Sequence, residues 1–335
     1  MNEYVARLGK LYAKNLFYLS PKNIIQEKKR FFSAYKKGKE YNPQFSYPLF
    51  RAQLKPFKAA LKILAAEGIC KKLQHRYKEK TAALISMYEA LQTGKDIAQK
   101  DTRTFYGFPS THAVSIAKHQ LQIKTKSRPK TPLPFKEVRR RMIQELKPYG
   151  WKLETTMMPT KAKVVISQQI LYLNPHRTFS QKDVERLIVH EIHAHVQRAY
   201  NHRKWSFPCK ELLDSTALEE GLAYYLEEQQ GVQSIQQMRI YAARLLGTYY
   251  NKKSFYDLFC MFRRYKFSEE KAFTIATRVK RGTHDSALPG GLTKDHTYLS
   301  GKLDVEHYIQ NGGDISTLLR GRFGLHELPL VNKFI

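Results

Sequence analysis

Three histidines and a glutamate fall within six residues, His190-Glu191-Ile192-His193-Ala194-His195. Hydrolytic zinc sites take three protein ligands from His, Glu or Asp and keep a fourth position for water. A helix with two histidines and a glutamate supplies two such ligands and a base. The familiar spacing is H-E-x-x-H, with the histidines four apart on one face, but here the fourth residue after His190 is Ala194. On a regular helix His190 and His193 stand about 60° apart and His190 and His195 about 140° apart. The second pair can share an ion only if the turn gains a residue, which a π-type turn provides. Helical geometry therefore favours His193 and leaves His195 open.

A third ligand is offered downstream by Leu218-Glu219-Glu220-Gly221-Leu222-Ala223-Tyr224-Tyr225. A connecting loop and a second helix span that interval. Adjacent glutamates on an apolar helix call for an explanation, because a buried carboxylate is costly unless paired or bound to a metal. The plain alternative is a solvated helix turn.

The elements that must position these groups are legible in outline. Ser180-Gln181-Lys182-Asp183 resembles a capping box opening the motif helix, and Val184, Leu187, Ile188 and Ile192 give that helix a buried stripe. A helix from Phe135 to about Lys147 precedes it. Strand-like enrichment follows over Trp151 to Thr155 and Val164 to Leu173. Earlier in the chain, helices are expected over Lys22 to Lys39, from Leu49 to near Gly68 and from Cys70 to Leu91. Tyr106 to Ser110 reads as a turn, with Ser110 capping a helix to about His119. After Asp214 the pattern is mostly helical, with turns at Gly231, Gly282, Pro289-Gly290-Gly291 and Gly312-Gly313. Helices, a small sheet, then helices favour an α+β fold. The basic, proline-containing run at 124–134 is the clearest linker. It divides a basic helical region, 1–123, from a catalytic region, 135–335.

With 335 residues, 42% of them hydrophobic, the chain can bury a large core. It has no run of about 18 uncharged apolar residues and no secretory cleavage pattern, so neither a membrane span nor a secretory signal is expected. Three cysteines, Cys70, Cys209 and Cys260, are scattered and unpaired in motif, which makes a reducing cytoplasm the default location. Lys and Arg number 58 against 29 Asp and Glu, a formal charge of +29. Such a field favours a polyanionic partner: nucleic acid, an anionic membrane or an acidic polypeptide.

The segments HEIHAHVQRAYN (190–201) and EEGLAYYLE (219–227) resemble the H-E-x-x-x-H and Q-E-G-L-A signatures of the tyrosine/glutamate carboxypeptidase family. That family includes the microtubule-associated tyrosine carboxypeptidases. A third block is similar to its R-x-x-R-G…T-K-D-x-x-Y segment: Thr277-Arg278-Val279-Lys280-Arg281-Gly282, then Gly291-Leu292-Thr293-Lys294-Asp295 and Tyr298. Weaker likeness at Asn42-Pro43-Gln44-Phe45 and Tyr106-Gly107 extends the resemblance over most of the chain. Carried over by position, it implies a zincin-like fold with the sheet beside the motif helix. It makes His190, His195 and Glu220 the ligands of one Zn²⁺ per chain and Glu191 the base. His193 stands where relatives usually have glycine, Ala194 where they often have threonine, and Glu219 where they usually have glutamine.

The implied reaction is removal of a C-terminal Tyr or Glu from acidic polypeptide tails, tubulin being the eukaryotic substrate. Tyr298, by its place in the third block, is the candidate oxyanion donor. Arg278, Arg281 and Lys294 are the candidates for holding the terminal carboxylate. Two rivals are a nucleic-acid-binding protein, supported by charge alone, and a zincin-like scaffold that binds metal or tails without cleaving them.

Overall fold

The computed structural model describes residues 19–49, 58, 71–125, 131–158, 160–205 and 215–332. The fold is α+β, mostly helical, with one three-stranded mixed sheet among the described residues. Helices α1 (Ile24–Lys36), α2 (Lys71–Thr93), α3 (Gln99–Tyr106), α4 (Thr111–Gln122) and α5 (Phe135–Leu146) come first. Strands β1 (Lys152–Thr155), β2 (Ala162–Val165) and β3 (Ile170–Leu173) follow. Next, α6 (Gln181–Leu187), a π-helical segment (Ile188–Val196) and α7 (Gln197–Arg203) run on without a break. The remaining helices are α8 (Thr216–Gln229), α9 (Ile235–Tyr249), α10 (Phe255–Arg264), α11 (Glu269–Val279), α12 (Thr297–Gln310), α13 (Ile315–Leu319) and α14 (Leu328–Val331). Apart from residues 49 and 58, the helix expected from Leu49 to near Gly68 lies outside the described residues, as does the middle of the expected linker, 126–130.

By its internal contacts the chain forms two compact units, Met1–Ile123 with Arg239–Thr297, and Lys124–Met238 with Tyr298–Ile335. In the second, Val138, Met142 and Leu146 recur every four residues along α5, so they share one face. They pack with Ala162 of β2, Leu171 and Leu173 of β3, and Val184, Leu187, Ile192 and Val196 of the motif helix. The stripe read from the sequence is therefore the side by which that helix is held. Its entry is held too, because Ser180 and Asp183 form the expected capping box and Lys161 reaches Asp183 at 2.9 Å.

The strand-like segment from Val164 to Leu173 is an antiparallel hairpin of β2 and β3, with Ala162 opposite Leu173. Ile166-Ser167-Gln168-Gln169 makes the turn, and Gln169 takes a left-handed φ of 57°. β1 adds to the other edge of β3 in parallel, Lys152 opposite Ile170. Alternation along β3 sends Leu171 and Leu173 into the core.

Helices α8 and α12 approach at backbone distance. A Cβ on Gly221 would stand 2.1 Å from the carbonyl carbon of Gly301, and one on Gly301 would stand 2.1 Å from the Ala217 oxygen. Neither backbone can yield without moving its helix, so the glycine that follows Glu220 is there for close approach.

In the first unit, Phe31 of α1 is enclosed by Phe255 and Phe259 of α10 and Phe273 of α11, with ring centroids 4.7–5.3 Å away. His296 is buried and its Nε2 donates to the Tyr106 carbonyl at 3.0 Å. Burial pushes the His296 pKa down to about 4 against the opposing bonds to the Tyr106 and Gly107 backbone.

Two stability predictions follow from this packing. Gly301→Ala is expected to cost about 3 kcal/mol or more, at or beyond the upper end of ordinary overpacking. Denaturant unfolding reads this as a lower midpoint at unchanged m; a change below about 1 kcal/mol would contradict the close approach. His296 is neutral in the fold, and its unfolded pKa is about 6.5, so protonation favours the unfolded chain. Its contribution is complete above pH 6.5 and is lost as pH falls towards 4, about 3 kcal/mol in all. His296→Gln is expected to flatten stability against pH in that window relative to the parent, and parallel curves would refute the assignment.

Candidate metal centre

The residue missing from an H-E-x-x-H helix is made up by the winding. From Ile188 to Val196 the motif helix is π-helical. Hydrogen bonds reaching to the fifth residue add one residue per turn, and this brings residues five apart onto one face. His190 and His195 consequently face each other, ring centroids 5.0 Å apart and planes at 80°. His193, which regular winding favours, goes elsewhere: its Nε2 lies 3.1 Å from Glu145 Oε2 on α5.

α8 packs along the π segment and delivers Glu220 to the two imidazoles. Glu220 Oε2 is 3.7 Å from His190 Nε2 and 4.0 Å from His195 Nε2. One donor atom from each residue lies within 4.8 Å of the other two. Donors about 2 Å from a tetrahedral ion stand about 3.4 Å apart, so the three need only a small inward movement to share one. All three are largely shielded from water. Burial alone would lower the His190 pKa, but hydrogen bonds to Glu220 and Glu227 outweigh it and raise it to about 10. His195 is lowered, by burial first and by its neighbour His190 second. The carboxylates thus make this a place that favours positive charge, and two imidazoles with a carboxylate are a donor set for a divalent transition metal.

Glu219 is the other member of the acidic pair, and it has a different occupation. It accepts from Arg322 Nε and Nη2, and Arg198 Nη1 is 4.0 Å away. Burial would raise its pKa, yet Arg322 outweighs that and holds it at about 2. Arg198 itself donates to the Leu318 and Phe323 carbonyls, both at 3.0 Å, which ties α13 and the chain just after it to the end of the motif helix. One glutamate is therefore committed to structure and the other to the histidines.

Glu191 is half-buried beside His190, and its charge is among those acting on both imidazoles. Tyr298 is half-buried on the first turn of α12, three residues before the Gly301 crossing with α8. Arg278, Arg281 and Lys294 belong to the first unit. There, Arg278 donates Nε and Nη2 to the two oxygens of Asp295 at 2.8 and 2.7 Å, and Arg281 Nη2 is 3.1 Å from the same carboxylate. Burial would raise the Asp295 pKa, but the two guanidiniums hold it far below the usual carboxylate range. Lys294 is almost fully buried.

Sequence reasoning missed Glu227 and Arg186. Glu227 is wholly buried on α8, with His190 Nδ1 at 2.8 Å and Arg186 Nη1 at 2.9 Å. The signal was present: Glu227 follows Glu220 by seven residues, two turns along one helix face, and Arg186 precedes His190 by four.

Residues 29–335 match the family model described as microtubule-associated tyrosine carboxypeptidase. No curated protein matches the chain.

The geometry separates the histidines experimentally. Elemental analysis of purified variants is expected to show loss of bound divalent metal in His190→Ala, His195→Ala and Glu220→Ala, while His193→Ala keeps the parent stoichiometry. Metal loss in His193→Ala with retention in His195→Ala would overturn the π-helical pairing.

Proposed function

The chain belongs to the microtubule-associated tyrosine carboxypeptidase family, and from that premise we propose that it is a zinc-dependent carboxypeptidase acting on the acidic C-terminal tail of a polypeptide. The observation that carries the proposal is the convergence of His190, His195 and Glu220 around the π turn, with Glu191 between the two histidines in sequence. These three side chains would hold one Zn²⁺ per chain. When bound, the ion would act as a Lewis acid and make water a competent nucleophile near neutral pH.

The chain's own residues supply the proton movements. A carboxylate Oε of Glu191 accepts a proton from the attacking water as the new carbon–oxygen bond forms. Glu191 then returns that proton to the leaving nitrogen as the peptide C–N bond breaks, so it ends as it began. The Tyr298 hydroxyl is assigned to donate to the carbonyl oxygen as charge develops there. Arg278, Arg281 and Lys294 are assigned to the terminal carboxylate of the substrate. Asp295 fixes the plane of the Arg278 guanidinium through two hydrogen bonds and pairs with Arg281 at 3.1 Å, and Arg278 has the more exposed side chain of the two.

Removal of a terminal Tyr or Glu is the specificity we assign, and the formal charge of +29 suits an acidic tail such as that of tubulin. Among the described residues no helix is long and apolar enough to cross a membrane. The sparse, scattered cysteines suit the cytoplasm as the proposed location.

Zinc-loaded protein incubated with acidic peptides that differ in their last residue is expected to release that residue alone, as read by mass spectrometry. Glu191→Gln is expected to lower turnover by about 10²–10⁴-fold, the usual contribution of a positioned acid–base group, while one equivalent of zinc stays bound. Internal cuts would make the protein an endopeptidase. Stoichiometric zinc with no cleavage of any peptide would defeat the catalytic proposal.

A further inference from the structure

Glu227 is a carboxylate with no exposure to water, and burial of that kind is costly unless the charge is compensated. Its compensation comes from two side chains of the continuous motif helix. Arg186 Nη1 and His190 Nδ1 both meet the same oxygen, Oε1, at 2.9 and 2.8 Å. Arg186 and His190 are four residues apart, one turn, so a single acceptor on α8 reaches both. The other nitrogen of His190, Nε2, is the one that faces Glu220. Coordination takes an imidazole in its neutral form, with its proton on one nitrogen and its lone pair on the other. A carboxylate at Nδ1 therefore fixes the lone pair at Nε2, pointing at the proposed ion, and it also fixes the ring plane.

We infer that Glu227 is a positioning residue of the metal centre: it accepts the Nδ1 proton of His190 and so presents Nε2 for coordination, while Arg186 balances its charge. The inference rests on the reading of His190, His195 and Glu220 as the ligands. Partners of this kind behind a ligating histidine raise its basicity and hold its tautomer.

A merely structural role for Glu227, as the counter-charge of Arg186, makes a different prediction, and two variants separate the roles. Glu227→Gln keeps the shape and removes the charge; Arg186→Gln with Glu227→Gln removes both charges and leaves no guanidinium uncompensated. The dissociation constant for Zn²⁺ is read by competition with a chromogenic chelator, and the unfolding midpoint of the metal-free protein is read alongside. Glu227→Gln is expected to weaken zinc binding about 10–100-fold. The double variant is expected to recover thermal stability and still bind zinc weakly. If Glu227→Gln folds poorly, the double variant carries the test alone. Zinc affinity within about twofold of the parent in the double variant would show that Glu227 only neutralises Arg186, and would overturn the inference while leaving the ligand set standing. Absence of stoichiometric zinc in the parent, or unchanged affinity in His195→Ala, would overturn the ligand set and the inference together.

Discussion

Two imidazoles five residues apart can share an ion only if the helix between them is wound wider than an α-helix, and a wider winding has to be held in place from outside. The π segment from Ile188 to Val196 is enclosed on every side that matters to it. Ile192 and Val196 are buried against α5 and the sheet, each contributing about 1.5–3 kcal/mol by its removal from water. Before it, the Ser180–Asp183 capping box fixes where the helix begins. After it, Arg198 donates to the carbonyls of Leu318 in α13 and Phe323 beyond it. A slip of one residue in the winding would move His195 off the shared face and put His193 or Ala194 in its place.

The second constraint is the approach of α8. Its glutamate is useful only at the distance the π segment sets, and α8 is held there from two sides. Glu227 grips the motif helix through His190 and Arg186. On another side, Gly221 lets the backbone of α8 lie against that of α12. Glu219, turned about 100° from Glu220 around the helix, is neutralised by Arg322 with Arg198 nearby and takes no part in the cluster. Adjacent glutamates with opposite fates follow from helical periodicity and from where the buried guanidiniums stand.

Three buried carboxylates meet their counter-charges locally. Asp295 sits under two arginines, Glu219 is held by Arg322, and Glu227 meets an arginine and a histidine. For Asp295 and Glu219 the facing guanidiniums outweigh the cost of burial and hold the pKa down. Around His190, His195 and Glu220 the carboxylates raise the His190 pKa, whereas burial and the neighbouring His190 lower that of His195.

Composition, capping and periodicity were enough to determine the α+β class, the helix opening at Ser180, the buried stripe of the motif helix and the six residues, 190–195, that supply both histidines of the cluster with Glu220. These are local properties: a cap is decided within four residues, and an apolar stripe by spacing alone. The choice between His193 and His195 was beyond such reasoning, because the α and π windings of one sequence differ by a residue per turn and packing from α5, the sheet and α8 selects between them. Likewise the separate fates of Glu219 and Glu220 depend on Arg322, 103 residues away, and the role of Glu227 depends on a contact 37 residues distant. The tertiary structure decided those points, because the energy of a buried charge is set by whatever stands opposite it in space.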